Sequence, residues 1–240
     1  MITKILLWFK KNKEWFKPSK ENNLFWFQII IVWVTMVPLY RNIVKGKTEG
    51  LTLTLYITMV TFFFMGLTLA ISSYKADRIK KRLQLIIVYA QLTFVLSAFF
   101  VVSANKIPWV KGDTIMCIVV YSLSIASIGL SHVYMNVKGN LKDRVQDPIV
   151  RGLIAIWSKA LPQLWFAWTM IDQKGSDGLP FITLIGGHLN AWPRFIHVVL
   201  SGRKSGWDRA TKGLLMSELS NVGTWTIASI VWSYFQIQSG

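Results

Sequence analysis

The chain has 240 residues, 52% of them hydrophobic, with 27 lysines and arginines against 11 acids and a formal net charge of +16; its mean hydropathy is +0.41. Apolar stretches take up most of the length and leave no room for a soluble domain, and the alternation that a membrane β-barrel strand needs is absent, so the expectation is an all-α polytopic membrane protein. Cys117 is the one cysteine, which excludes a disulfide or a cysteine zinc site within the chain.

In chain order, Met1 to Lys20 interleaves Ile5, Leu6, Trp8, Phe9, Trp15 and Phe16 with six lysines. That is the composition of an amphipathic helix lying on anionic lipid, and residues 1–23 are assigned to it. The segment lacks the apolar core and small-residue cleavage site of a signal peptide. Seven apolar stretches follow, of lengths that cross ~30 Å of hydrocarbon as helices. They run Leu24 to Tyr40, Leu51 to Tyr74, Leu83 to Ala104, Thr114 to Val137, Gly152 to Ile171, Pro180 to Leu200 and Leu214 to Phe235.

The first and fifth stretches repeat each other. Ile30-Ile31-Val32-Trp33, Val37-Pro38-Leu39 and Gly50-Leu51-Thr52 recur as Ile154-Ala155-Ile156-Trp157, Leu161-Pro162-Gln163 and Gly178-Leu179-Pro180, with the prolines 124 and the Gly-Leu pairs 128 residues apart. The repeat predicts seven transmembrane helices in a 3+1+3 arrangement: a three-helix unit at 24–104, a linker helix at 105–148 and a second three-helix unit at 149–240. An odd linker keeps the two units parallel.

Pro-Gln within a first helix, a short basic loop, then Gly-Leu opening the next helix resembles the PQ-loop proteins, the superfamily of the SWEET (MtN3) sugar transporters. Leu161-Pro162-Gln163 matches, while Val37-Pro38-Leu39 keeps the proline and has leucine for glutamine. Ser220-Asn221-Val222-Gly223 is similar to the Pro-Asn-x-x-Gly of SWEET seventh helices, with serine for proline and a shortened spacing. The resemblance implies a uniporter whose central site takes one asparagine from each of the third and seventh helices. Here the repeat offset sets Gln91 opposite Asn221, and paired carboxamides suit a neutral polar solute.

Other candidates follow from the residues alone. Pro38, Pro162 and Pro193 each remove a backbone hydrogen bond within a span and are read as hinges. Gly186-Gly187, His188, Asn190, Trp192, Pro193 and Arg194 interrupt the sixth stretch, which predicts a broken helix with freed carbonyls at a binding region. Glu218, Asn221 and Trp225 share a face of the seventh. Gln91, His188, Asn190, Trp192, Asn221 and Trp225 are thus the expected substrate-binding residues. Lys159, Arg194 and Glu218 are the ionisable groups inside spans, placed near one membrane side, and predict a charge cluster that gates the cavity, relays a proton or locks helices.

Orientation follows from charge. Nineteen lysines and arginines fall on the N-terminal side of the spans against six on the other, which predicts a cytoplasmic N-terminus in a bacterial inner (plasma) membrane. SWEET-like proteins are oriented the opposite way, and the vitamin-transporting Pnu family is similar to the inverted arrangement. His132, His188 and His197 lack metal-site spacing, and no phosphate loop or nucleophile elbow is present. No enzyme, cofactor, metal or nucleic-acid partner is therefore expected; anionic lipids are, and a homo-oligomer is compatible. The expected function is facilitative passage of a small polar solute (sugar, vitamin or amino acid) by alternating access. The alternative is a seven-helix receptor or sorting protein that binds without transporting, as the KDEL receptors resemble the same superfamily.

Overall fold

The computed structural model describes residues 17, 22–77 and 79–239; apart from Lys17, the expected surface segment Met1 to Lys20 lies outside them. The described residues are helical with short connections and contain no strand. Four long helices come first: α1 (Asn23–Val44), α2 (Leu53–Asp77), α3 (Lys80–Ala104) and α4 (Lys111–Gly129). Two short ones, α5 (Ser131–Tyr134) and α6 (Leu141–Gln146), lead into a rod made of α7 (Pro148–Ala155), a π-helical turn (Ile156–Ala160) and α8 (Leu161–Asp172). The chain ends in α9 (Phe181–Ser205) and α10 (Arg209–Ser239).

Helices α1 to α4 are each long and apolar enough to cross a membrane. Their outward faces carry exposed Ile30, Val37, Phe64, Phe94, Val101, Ile118 and Ile125, side chains that water would penalise and lipid does not. This marks an integral membrane protein. The fourth stretch is shorter than its apolar pattern implied: α4 ends at Gly129, and Leu130 turns the chain into α5 rather than carrying one helix to Val137. Conversely, α10 begins at Arg209 and runs 31 residues, beyond the apolar window on both sides, because helix geometry does not stop where hydropathy does.

Local chemistry sets the joins. Asp147 caps α7 by accepting from the backbone N–H of Ile149 (3.0 Å) and Val150 (3.2 Å), with Pro148 at the first turn where its missing N–H costs nothing. Pro162 cannot donate to the Ser158 carbonyl. The rod widens just before it, and Leu161 N–H bonds back to the Ile156 carbonyl, five residues earlier. Pro38 makes no such change, since α1 is α-helical throughout.

The sixth stretch departs from expectation. α9 is one continuous helix from Phe181 to Ser205, with Pro193 inside it. Gly186 and Gly187 do not break it; they are places of close approach, where a side chain would run into Thr35 of α1 and into the Trp225 ring of α10. Tertiary packing outweighs the weak helix propensity of glycine, as it commonly does between membrane helices.

Helix α3 packs against both α1 and α2, and α10 packs against both the α7–α8 rod and α9. Across the molecule α1 meets α9, while α2 meets the α7–α8 rod. Exchanging α1 with the rod, α2 with α9 and α3 with α10 leaves this pattern of neighbours unchanged. Helix α4 packs on α2 and on the rod. The buried apolar core, including Leu39, Ile43, Leu51, Tyr56, Phe99, Phe166 and Met170, gathers toward the end formed by the C-termini of α1, α3 and α8.

Candidate functional site

Two adjacent cavities lie among α1 to α3, the rod, α9 and α10. The outer one, about 300 Å³, runs from Gln146 and Pro148 before α7 and from Ala210 and Gly213 at the start of α10 inward to Lys159, Arg194 and Glu218. The inner one, about 110 Å³, is lined by residues of α1, α2, α3, the rod, α9 and α10. Phe63, Lys159 and Arg194 belong to both linings and mark the junction.

The three in-span charges predicted from sequence therefore face one space. Lys159 sits in the π-helical turn, 8% exposed, with its ammonium 5.6 Å from the centre of the Phe62 ring, a cation–π contact. Glu218 is 7% exposed, and its Oε2 is buried without a hydrogen-bond partner. Gln28 of α1 faces Arg194: with its carboxamide oxygen turned inward it accepts from the guanidinium at 2.8 and 3.3 Å. Among the described residues no ion pair joins Lys159 or Arg194 to Glu218 within 4.0 Å, whereas Arg209 pairs with Asp147 at 2.6 Å. The charges share a cavity without being locked together.

At the inner cavity, Asn221 is 5% exposed and pairs within its own half of the molecule. Its Oδ1 accepts from Gln163 Nε2 (3.4 Å), and Gln163 Oε1 accepts the Thr224 hydroxyl. This corrects the expected pairing with Gln91, whose Nε2 donates to the Ile29 carbonyl of α1 at 2.9 Å. The reason is register. Leu92 and Leu96 line the cavity at the same four-residue spacing as Asn221 and Trp225, so the working offset is one residue less than the sequence arithmetic implied, and a one-residue slip turns a helix by ~100°.

Asn190 and Trp225 line the inner cavity, and the Asn190 Oδ1 is buried without a partner. His188 and Trp192 line neither cavity. His188 Nε2 meets the Ser229 hydroxyl at 2.8 Å, its Nδ1 accepts from Trp192 Nε1 at 3.2 Å, and Trp192 is 43% exposed. The α9 face that carries them lies away from both cavities, with His188 half-buried against α10 and Trp192 exposed. Of the prolines, Pro38 and Pro193 lie inside continuous α-helices, while Pro162 follows the π-helical turn that carries Lys159.

The opposite end is closed. Gly50, at φ +77°, donates its N–H to Gln173 Oε1 at 2.6 Å. Gly178 N–H bonds the Glu49 carbonyl at 3.1 Å, and Asn42 Nδ2 bonds the Asp177 carbonyl at 3.1 Å. The loops after α1 and α8, the two repeat-related loops, thus clasp each other.

Beside them sits a residue that sequence reasoning passed over. Asp113, 2% exposed, accepts the hydroxyls of Thr52 (2.5 Å) and Thr54 (2.6 Å), Trp165 Nε1 (3.2 Å) and the Val110 N–H (3.2 Å). Its place just ahead of the fourth apolar stretch gave a helix-start signal only. Its partners on α8 and before and within α2 are distant in sequence. Gln163 was visible as half of the Pro-Gln pair, but nothing local assigned it to Asn221. No family model, curated protein or solved structure matches the chain.

Proposed function

We propose that this protein is a membrane transporter that passes a small polar solute by alternating access between two three-helix units, residues 24–104 and 149–240, on either side of the linker helix. The observation that carries the reading is the polarity of the cavity: it reaches the helix starts at one end, where Lys159, Arg194 and Glu218 line it, and ends within the bundle at Met36, Gln163, Thr183 and Trp225, while beyond it the loops Glu49-Gly50 and Gln173 to Gly178 are clasped. The exchangeable pattern of helix neighbours supports two equivalent units, and their relative rocking would part the clasp and shut the charged end. The α7–α8 rod, α9 and α10 complete seven spans. They are less apolar than α1 to α3 because they supply the polar lining, while Trp168, Ile196, Leu200 and Ile230 remain exposed on their outer sides. The short motifs support a PQ-loop or SWEET-like relationship, with Pnu-like orientation. With the N-terminus in the cytoplasm of a bacterial inner membrane, the charged open end would face inward, and the proposed cycle would start from an inward-open arrangement.

The test is flux in proteoliposomes combined with a reversible lock. Cysteines at Asn42 and Asp177, bridged by a bifunctional reducible thiol reagent in a Cys117→Ala background, should abolish flux and regain it on reduction; flux that persists when bridging is complete would remove the clasp as a gate. Solute that binds the purified protein but never crosses the bilayer would replace the transporter with the receptor reading. Orientation is checked at Ser239→Cys, which should label from outside intact cells.

A further inference from the structure

The two sides of the inner cavity differ in chemistry. From the first triplet it is lined by Val32, Met36, Met59, Phe63, Leu92 and Leu96, with Thr35 the polar exception, and the Thr35 hydroxyl is occupied by the Ile31 and Val32 carbonyls at 2.7 and 3.1 Å. From the second triplet come Lys159, Gln163, Asn190, Arg194 and Asn221. The two lining cations, Lys159 and Arg194, sit at the junction with the outer cavity, which Glu218 lines; Glu218 Oε2 on that side and Asn190 Oδ1 on the inner side are both buried without partners. An acceptor desolvated in this way favours a ligand that brings it a donor.

A fitting solute has three parts. It needs an anionic group for Lys159 and Arg194, a hydrogen-bond donor close to that group for Glu218 or Asn190, and an apolar body for the methionine, leucine and phenylalanine wall. A sugar presents hydroxyls on every side and would bury several against side chains that offer no partner. A plain carboxylate leaves Glu218 without a donor and adds a like charge beside it, and a plain amine meets two cations without an anion to offer. Building on the transporter reading, we infer that the solute is an α-amino acid with a large apolar side chain. Its carboxylate is held at the Lys159 and Arg194 end, its ammonium donates to Glu218 or Asn190, and its side chain lies against Met36, Met59, Phe63, Leu92 and Leu96.

The experiment uses the full-length protein, purified for binding and reconstituted for flux, with L-phenylalanine and L-leucine as probes and 3-phenylpropionate, 2-phenylethylamine, L-serine and D-glucose as comparators. Phenylalanine and leucine should bind and cross, with each aromatic comparator binding about tenfold or more weakly for want of one charged group. Glu218→Gln should narrow the gap between phenylalanine and 3-phenylpropionate, and Leu92→Asn should narrow that between leucine and serine. Both variants are to retain the wild-type elution profile; if Glu218→Gln does not fold, Asn190→Ala takes its place with the same expected narrowing. Glucose flux with no amino-acid binding would overturn the solute class and leave the transporter standing. Amino-acid binding without flux would uphold the class and overturn transport. Equal affinity for phenylalanine and 3-phenylpropionate, or binding of none of these probes, overturns the inference.

Discussion

Pro38 and Pro162 hold equivalent places in the two helical triplets, yet α1 stays α-helical through its proline while the rod widens into a π-turn before Pro162. The carbonyls they strand differ in setting. On α1 the affected turn faces outward, with Val34 and Val37 exposed. On the rod, Ser158 and Lys159 are buried against α2, α4 and α10, and the Ser158 hydroxyl lies 3.4 Å from that of Ser124. The same difference recurs at the positions the repeat pairs: Leu39 in the core and Leu92 in the cavity wall on one side, Gln163 and Asn221 in the wall on the other. Two sets of helices can keep one packing scheme, which depends on shape and helix spacing, while one of them carries most of the polar groups that face the inner cavity.

The hardest test of that scheme is the tie between its halves. Asp113 holds threonines before and within α2 together with Trp165 of α8, and Asp113→Asn presents an N–H₂ where an N–H already donates. The expected loss is about 3 kcal/mol, from several weakened bonds to a buried carboxylate, read as a drop in midpoint on denaturation in detergent. An unchanged midpoint would show that the halves hold together without this hub.

Charge in the second unit is sharpened next. Glu218→Gln leaves Lys159 and Arg194 facing one cavity without a carboxylate, at an expected cost of about 2 kcal/mol, and Glu218→Gln/Lys159→Met should recover part of it. Strictly additive losses in this cycle would mean that the groups do not sense one another across the cavity.

A smaller effect separates the equivalent positions after the prolines. Gln163→Leu strands Asn221 Oδ1, leaves the Thr224 hydroxyl to the Ser220 and Asn221 carbonyls and should lower stability by about 1 to 2 kcal/mol, whereas Leu39→Met, a volume-conserving change in an apolar core, should cost less than about 1.5 kcal/mol. Equal losses of stability from both would dissolve the distinction between the two positions.

The smallest concerns the join before the rod. At Asp147, burial pushes the carboxyl upward, but the Arg209 guanidinium at 2.6 Å and the N–H groups of Val150 and Ile149 outweigh it and hold it below the usual carboxylate range. Because the folded value is the lower one, this contribution is complete above the ordinary aspartate value and is lost as pH falls through the depressed one. Asp147→Ala should cost about 1 kcal/mol through the lost helix cap, and less as the pH is taken into that acid range; a cost that grows on acidification would exclude the capping carboxylate as its cause.

Sequence alone determined the helical class, the membrane setting of α1 to α4, the duplicated Trp and Pro motif, and the presence of Lys159, Arg194 and Glu218 in otherwise apolar stretches. Those are properties of composition and local spacing, because transfer to lipid and backbone self-satisfaction act on each segment separately. Which side chains meet was decided only in three dimensions. Gln91 took a backbone carbonyl on α1, Asn221 took Gln163, His188 and Trp192 turned away from both cavities, and Gly186-Gly187 became a packing contact instead of a break. Each outcome depends on the rotation of one helix against another. A shift of one residue, invisible to a hydropathy count, moves a side chain ~100° around its helix, and the surface it then faces belongs to another part of the chain.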